Sequence, residues 1–297
     1  MNNKNFNTTI TNASNVINNA DAILIIAGAG MGIDSGLPDY RGPNGLWNTW
    51  HPAKELKLTY EKISTHEIFL DDPCLGWGFQ TYLTKLYNDL DPHDGYYKLL
   101  DLATNKFKNN YFVITSNVDS QFLQSGFDEQ RLYEVHGTKR LWQCIDKDCN
   151  KRSPPWKMDV NNLPKIDNKT LYAQHPLPKC IYCGKLARPN VSFFSDHYFN
   201  EKITQKQSKR LLNWIETTKT KKLVIIEIGC GISEHSIRFR LKNDQFTMLS
   251  NEWKLPKCFL SKDNTNLIRI NPDEDDDEDV IKISLGAKKG FKLLVNK

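Results

Sequence analysis

Short apolar runs that stop at glycine or a small polar residue constrain this chain more than any other feature. Ala22 to Ala27 (AILIIA) runs into Gly28, Tyr111 to Thr115 (YFVIT) into Ser116 and Asn117, and Leu223 to Ile228 (LVIIEI) into Gly229. Leu267 to Ile270 stops at Asn271, and Val280 to Leu285 at Gly286. Runs this short, rich in Ile and Val and apolar on both faces, suit buried parallel strands. The segments between them, such as Pro73 to Leu90 and Asp94 to Asn105, are long enough for crossover helices, so the sequence predicts a doubly wound α/β sheet. Ligands of such sheets sit at the carboxyl ends of the strands, where these Gly, Ser and Asn residues gather.

Two stretches fit that pattern poorly. Gly42 to Leu90 is aromatic and rich in helix formers, and Gly137 to Pro189 holds four cysteines with many prolines and lysines. Both read as insertions that form a smaller second domain. Cys144 and Cys149 are five apart, Cys180 and Cys183 three apart, with thirty residues between the pairs. Four soft thiolates in two close pairs suit one tetrahedral zinc, which also makes a core-poor module foldable. With four protein ligands such a site is closed and structural. Cys74 and Cys258 are expected to be buried or incidental.

Composition narrows the function classes. With 39% hydrophobic and 25% charged residues the 297-residue chain is an ordinary globular one, and a net charge of +5 is too mild to argue for nucleic acid. No apolar stretch reaches the ~18 residues of a membrane span. The Asn-rich start, Met1 to Thr9, lacks the pattern of a signal peptide, so the expected setting is cytoplasmic and reducing. The acidic run Asp273 to Asp279 reads as a solvated loop.

The glycine turn Gly28-Ala29-Gly30-Met31-Gly32 follows a strand, where small residues let backbone approach a pyrophosphate. An ordinary dinucleotide-binding dehydrogenase also wants an acidic residue ending a second strand ~20 residues on. Here the chain continues Asp34-Ser35-Gly36-Leu37-Pro38-Asp39-Tyr40-Arg41 instead. His136, followed by Gly137, lies between the Asn117-Val118-Asp119 triplet and the first cysteine pair, and its imidazole is a candidate general base. His51, His66, His93, His175, His197 and His235 lack comparable context and are expected at the surface or as caps.

The string GAGMGIDSGLPDYRG closely resembles the signature of the sirtuin family of NAD-dependent protein deacylases. Further strings follow in that family's order: Thr115 to Asp119 resembles Thr-Gln-Asn-Ile-Asp, His136-Gly137 its His-Gly, and Arg188 to Asp196 its Arg-Pro-Asp-Val-Val-Phe-Phe-Gly-Glu. Gly229-Cys230-Gly231 stands where the family has Gly-Thr-Ser, and Ile270-Asn271 where it has Ile-Asn. The resemblance covers about residues 22 to 290 and places the cysteines where the family carries its zinc module. It implies a Rossmann-like NAD-binding domain from residues 1–41, 91–136 and 190–297, with a helical insertion 42–90 and a zinc-binding insertion 137–189 forming the small domain.

The resemblance also implies roles. Gly28, Ala29 and Gly30 would cradle the NAD diphosphate, and Asp39, Tyr40 and Arg41 would lie on the loop closing over it. Asn117 and Asp119 would form the nicotinamide pocket, with Ser116 beside the ribose in place of a Gln. Gly229, Cys230, Gly231, Asn271 and Ala287 would complete the cofactor site, with Asn271 at the adenosine ribose. His136 would take a proton from a ribose hydroxyl after nicotinamide has left, giving free lysine and O-acyl-ADP-ribose. Ser192, Phe193, Phe194 and Ser195 would meet an acylated protein or peptide. Ser192 and Ser195 replace Val and Gly of the family pattern, which keeps ADP-ribosyl transfer and NAD hydrolysis open as alternatives. Gln80 and Leu83 stand where the succinyl- and malonyl-removing members have Tyr and Arg, so this helix offers no guanidinium to a carboxylate and a preference for negatively charged acyl groups is not expected.

Overall fold

A computed structural model describes residues 3–38, 59–167, 169–231, 265–272 and 280–295. Within it the apolar runs form one six-stranded sheet of β1 (Ala22–Ala27), β2 (Tyr111–Thr115), β3 (Leu132–Glu134), β7 (Leu223–Ile228), β8 (Thr265–Ile270) and β9 (Ile281–Ile283). The order is β3-β2-β1-β7-β8-β9 and every pairing is parallel. The order reverses direction at β1, which makes the space beyond β1 and its neighbours the topological switch point of the sheet. The doubly wound sheet expected from the runs is therefore present.

Alternate residues of each strand supply the two faces. Ile23, Ile25, Val113, Ile226, Ile228 and Ile268 pack with Ile10, Ala13 and Ile17 of α1 (Asn3–Asn19), Tyr96 and Leu99 of α3 (Asp94–Asp101), and Phe291 and Leu294 of α5 (Ala287–Val295). Leu24, Ile26, Phe112, Ile114 and Ile225 pack on the other face with Leu211, Trp214 and Ile215 of α4 (Lys202–Thr218). Each fully buried Ile or Leu contributes roughly 1.5–3 kcal/mol of transfer free energy, so these two layers carry most of the fold. The helix α1 includes most of the Asn-rich start. Its helical period is visible only as Ile10, Ala13 and Ile17, spaced three and four apart among polar residues.

A second sheet, in the order β5-β4-β6, joins β4 (Gly137–Cys144), β5 (Trp156–Lys157) and β6 (Ala187–Val191) in antiparallel pairs. The boundary drawn between 189 and 190 falls inside β6. Against this sheet lies α2 (Pro73–Asp89), whose start is set by Asp72 accepting Leu75 N at 3.0 Å and by Pro73 in its first turn. Trp77 of α2 is fully buried, meets Trp142 of β4 edge to face and donates its indole N–H to Ala187 O at 3.0 Å. Residues 42–58 of the helical insertion and the run 273–279 lie outside the described residues, as do Cys258, His51 and His235. Among the described residues no helix is long and apolar enough to cross a membrane.

Candidate active site at the strand ends

Backbone hydrogen bonds lace the carboxyl ends of the parallel strands together. Gly28 N donates to Ile228 O (2.9 Å), Gly30 N to Gly229 O (3.0 Å), Gly229 N to Ile270 O (3.0 Å) and Ser116 N to Ala27 O (3.1 Å). The loops after β1, β2, β7 and β8 thereby meet at one edge. A Cβ on Gly28 would lie 2.6 Å from Gly229 O, and one on Gly30 would lie 2.7 Å from Gly229 Cα. Gly229 itself has φ +57°, the left-handed region that favours glycine. Small residues are needed on both loops because the two backbones touch.

Side chains complete the edge. Asn117 is buried and its Nδ2 donates to Gly28 O at 3.0 Å, tying the β2 loop to the glycine turn. Asn271 Nδ2 donates to Cys230 O at 2.7 Å, tying β8 to the β7 loop. The thiol of Cys230 points away into the core, toward Ile26 O and Ile228 O, so it is the backbone of Cys230 that this contact offers. Ala287 opens α5, and Lys288 N donates to Asp34 Oδ2 at 2.8 Å, which joins the glycine-turn loop to that helix. Ser116 is half-buried and Gly231 exposed; Asp39, Tyr40 and Arg41 lie outside the described residues.

Asp119 is buried and its Oδ1 accepts Gln121 N at 2.9 Å. Burial pushes its carboxyl up to about 6, against backbone N–H bonds that pull it down. His136 follows β3 and is half-buried. Its carbonyl accepts Ser192 N at 2.9 Å, which puts the candidate base and the first candidate substrate residue side by side. Gly137 has φ +74°, and a Cβ there would lie 2.2 Å from Asn190 O. The His-Gly pair thus has a steric cause: only glycine lets the chain turn into β4 directly after the imidazole.

The segment after β6 is a turn. Phe194 N donates to Ser64 O at 2.9 Å, and Ser195 has φ +52°. A serine there sits where glycine is at ease, the residue the resembling pattern carries. A buried ion pair, Arg188 Nη2 to Asp196 Oδ2 at 2.7 Å, braces the turn, and the Arg188 guanidinium lies over Phe193. Phe193 stacks on Phe69, and Phe194 meets Tyr60 edge to face. Sequence reasoning quoted Arg188 and Asp196 without giving them this role. Their separation of eight residues becomes a pair only once the turn is known.

The four cysteines come together. Cys144, Cys149, Cys180 and Cys183 place their sulfurs within 4.8 Å of one another, with Cys144 and Cys183 at 3.5 Å and Cys149 and Cys180 at 3.8 Å. Tetrahedral Zn–S bonds of ~2.3 Å put sulfurs about 3.8 Å apart, so the cluster fits a four-thiolate zinc. Cys74, by contrast, is half-buried with its thiol 3.6 Å from His175 Nε2.

Of the remaining histidines, one departs from expectation and one bears it out. His66 is buried and stacked on Tyr198 rather than on the surface. His93 does cap α3, its Nδ1 accepting Gly95 N at 2.9 Å, but it is also buried, with Nε2 2.9 Å from Met31 O in the glycine-turn loop. Lys139, which sequence reasoning passed over, is buried in β4 directly after the His-Gly turn.

A family model described as the Sir2 family matches residues 28–226. The "NAD-dependent protein deacylase" of Aquifex aeolicus is 29% identical over 174 residues, which cover 59% of this chain and 62% of that protein. The "NAD-dependent protein deacylase 2" of Pseudomonas aeruginosa is 30% identical over 194 residues, covering 65% of this chain and 68% of that one. Among solved structures, a Sir2 homologue in complex with NAD superposes with a TM-score of 0.66 at 22% identity, covering 96% of this chain and 92% of that one. The likeness in fold thus extends over nearly the whole chain, beyond the stretch in which sequence identity is found.

Proposed function

Because this chain belongs to the Sir2 family, we propose that it is an NAD-dependent protein-lysine deacylase. It would consume NAD, water and an acylated protein or peptide, and release nicotinamide, O-acyl-ADP-ribose and free lysine. The observation that carries this reading is the meeting of the glycine-turn loop, Asn117, Asp119 and the His136–Ser192 pair at one edge of the sheet. The names of the Aquifex and Pseudomonas relatives support it.

The residues present fit NAD. Gly28, Ala29 and Gly30, closed against the Gly229 loop at the strand ends, would lie along the diphosphate, and Gly229, Cys230, Gly231, Asn271 and Ala287 would border the adenosine side. Ser116, Asn117 and Asp119 form the nicotinamide end, with Asp39, Tyr40 and Arg41 on the closing loop. We assign to Asp119 the orientation of the nicotinamide carboxamide. The amide oxygen of the acyl-lysine would take the ribose carbon as nicotinamide departs, neutral His136 would then remove a proton from a ribose hydroxyl that attacks the acyl carbon, and addition of water with cleavage of the acyl carbon–nitrogen bond would release the lysine. Ser192, Phe193, Phe194 and Ser195 flank the incoming peptide. Zinc held by Cys144, Cys149, Cys180 and Cys183 is structural, since four protein sulfurs leave no open position.

The NAD-binding domain then comprises 1–41, 91–136 and 190–297 and the small domain 42–90 and 137–189, except that β6, which crosses the 189/190 boundary, pairs with β4 and goes with the small domain. A reducing, cytoplasmic setting agrees with four thiols gathered for a metal. The test is mass spectrometry of reactions containing NAD and acyl-lysine peptides. O-acyl-ADP-ribose is expected from the wild type and is expected to fall by at least ~10²-fold in His136→Ala. ADP-ribose released without peptide, or ADP-ribosylated protein, would instead assign NAD hydrolysis or ADP-ribosyl transfer.

A further inference from the structure

The cysteine-bearing insertion carries the net charge of the whole chain. Residues 137–189 hold eleven Lys and Arg against four Asp, so the +5 of the 297 residues comes from this stretch and the remainder is slightly acidic. Setting aside the buried Lys139 and Arg188, nine basic side chains remain outside the core. The two negative charges of a four-thiolate zinc leave the balance positive. Three of the four acids are also occupied: Asp146 pairs with Lys185, Asp167 accepts Lys169 N and Thr170 N at 2.9 and 2.8 Å, and Asp159 accepts Asn161 N and Asn162 Nδ2, each at 3.0 Å.

An apolar groove of about 470 Å³ opens in this basic surface, lined by Trp142, Trp156, Leu177, Pro178 and Ile181, with the exposed Lys157 and Lys179 beside them. Neither lysine has a carboxylate within ion-pair distance among the described residues. Ile181 is 64% exposed, more than any other large apolar side chain described. That exposure is not slack, because Ile181 directly follows Cys180 of the sulfur cluster and its neighbour Tyr182 packs edge to face on Trp156 at 5.6 Å. An apolar side chain held out into water at a fixed place, beside a groove, suits anchoring of a partner's side chain. β5 is the outer strand of the small sheet, so an extended segment can lie beside it. β4 runs from Gly137, next to His136, to Cys144, and the groove lies at the cysteine end, apart from the strand-edge site.

We propose that this groove docks an extended acidic peptide segment of a protein partner, which seats one large apolar side chain against Ile181 and Trp156 and sets its carboxylates against Lys157 and Lys179. Its charge complements the insertion, and its apolar side chain complements the groove floor. Nucleic acid fits less well: Trp156 is engaged with Tyr182 and Trp142 with Trp77, so the rings are not free stacking platforms, and Asp159 in the groove lining repels phosphate. The inference does not depend on the deacylase reading, since no residue of the groove belongs to the NAD or acyl-lysine site.

The experiment is fluorescence anisotropy of fluorescein-labelled Glu-Asp-Glu-Phe-Glu-Asp-Glu, and of its Leu and Trp counterparts, titrated with the zinc-loaded full chain. Saturable binding of at least one is expected, weakened by added salt and weakened about tenfold or more when the central residue is Ala. Lys157→Glu combined with Lys179→Glu is expected to lower affinity by about tenfold or more, and Ile181→Ser by a similar factor. Because these three side chains are exposed, both variants should melt with the wild type, which separates loss of docking from loss of fold. Absence of saturable binding by all three peptides, or binding that survives both the charge reversal and Ile181→Ser, overturns the proposal. Tighter binding of a labelled oligothymidylate than of any peptide would assign the surface to nucleic acid instead. Concentration-dependent dimerisation abolished by Ile181→Ser would give the groove to a second copy of this chain, and either result overturns the peptide assignment.

Discussion

Burial of Asp119, which we propose orients the nicotinamide carboxamide, has a cost in stability. Its carboxyl is raised to about 6 by burial, so the folded state holds its proton more tightly than the unfolded chain between pH ~4 and 6. Stability therefore falls as pH rises through that window, and at neutral pH the buried anion costs up to about 3 kcal/mol. Asp119→Asn is expected to raise Tm at pH 7 and to lose that advantage near pH 4, while NAD-dependent turnover falls by at least ~10²-fold. A melting series across that range checks the first point, and nicotinamide release the second. The identity of Asp119 was legible in the sequence as part of the Asn-Val-Asp triplet, but its burial was not, because burial depends on how the loop, closed by the Gln121 N bond to its carboxylate, is covered in the folded chain. The same holds for Lys139: as a letter it is one of many lysines, and only the approach of α2 gives it a partner.

At the scale of elements, the turns matter more than the strands. The strands β1, β2 and β7 were legible as apolar runs, whereas β3, β5 and β6 were not, since two or three residues carry no period and β6 contains Pro189. The helix α1 was hidden by asparagine. Gly229 is the clearest example of an element-level constraint. A Cβ there would lie 2.3 Å from both Gly30 C and Met31 N, and its φ is left-handed. Gly229→Ala is expected to destabilise the protein by more than the ~1–2 kcal/mol of the backbone term alone, because two backbones must separate. It should also weaken NAD binding, since the displaced loop is the glycine turn. Denaturant unfolding with and without NAD measures both effects, and a variant that melts and binds like wild type would remove the close approach from the account.

Across the whole molecule, two sheets meet at His136, which leaves the parallel sheet after β3 and enters the antiparallel one at β4. The helix α2 and the cysteine cluster hold the second sheet, so metal is expected to matter for activity without entering the chemistry. Protein purified without chelator should carry about one zinc per chain. Its removal should lower the melting temperature and activity together, and re-addition should restore both. Metal well below one equivalent would contradict the four-thiolate site. The pairing of the two sheets was only partly legible, because the sequence marks the cysteines but not which strand they brace.

In the proposed reaction, acyl transfer to ADP-ribose is coupled to loss of nicotinamide at one edge of the sheet. Product stoichiometry tests it most directly: nicotinamide, deacylated peptide and O-acyl-ADP-ribose quantified in one reaction with NAD and an acyl-lysine peptide. The expected result is equal amounts of all three, with none formed when peptide is omitted. Nicotinamide and free ADP-ribose accumulating without deacylated peptide would contradict it.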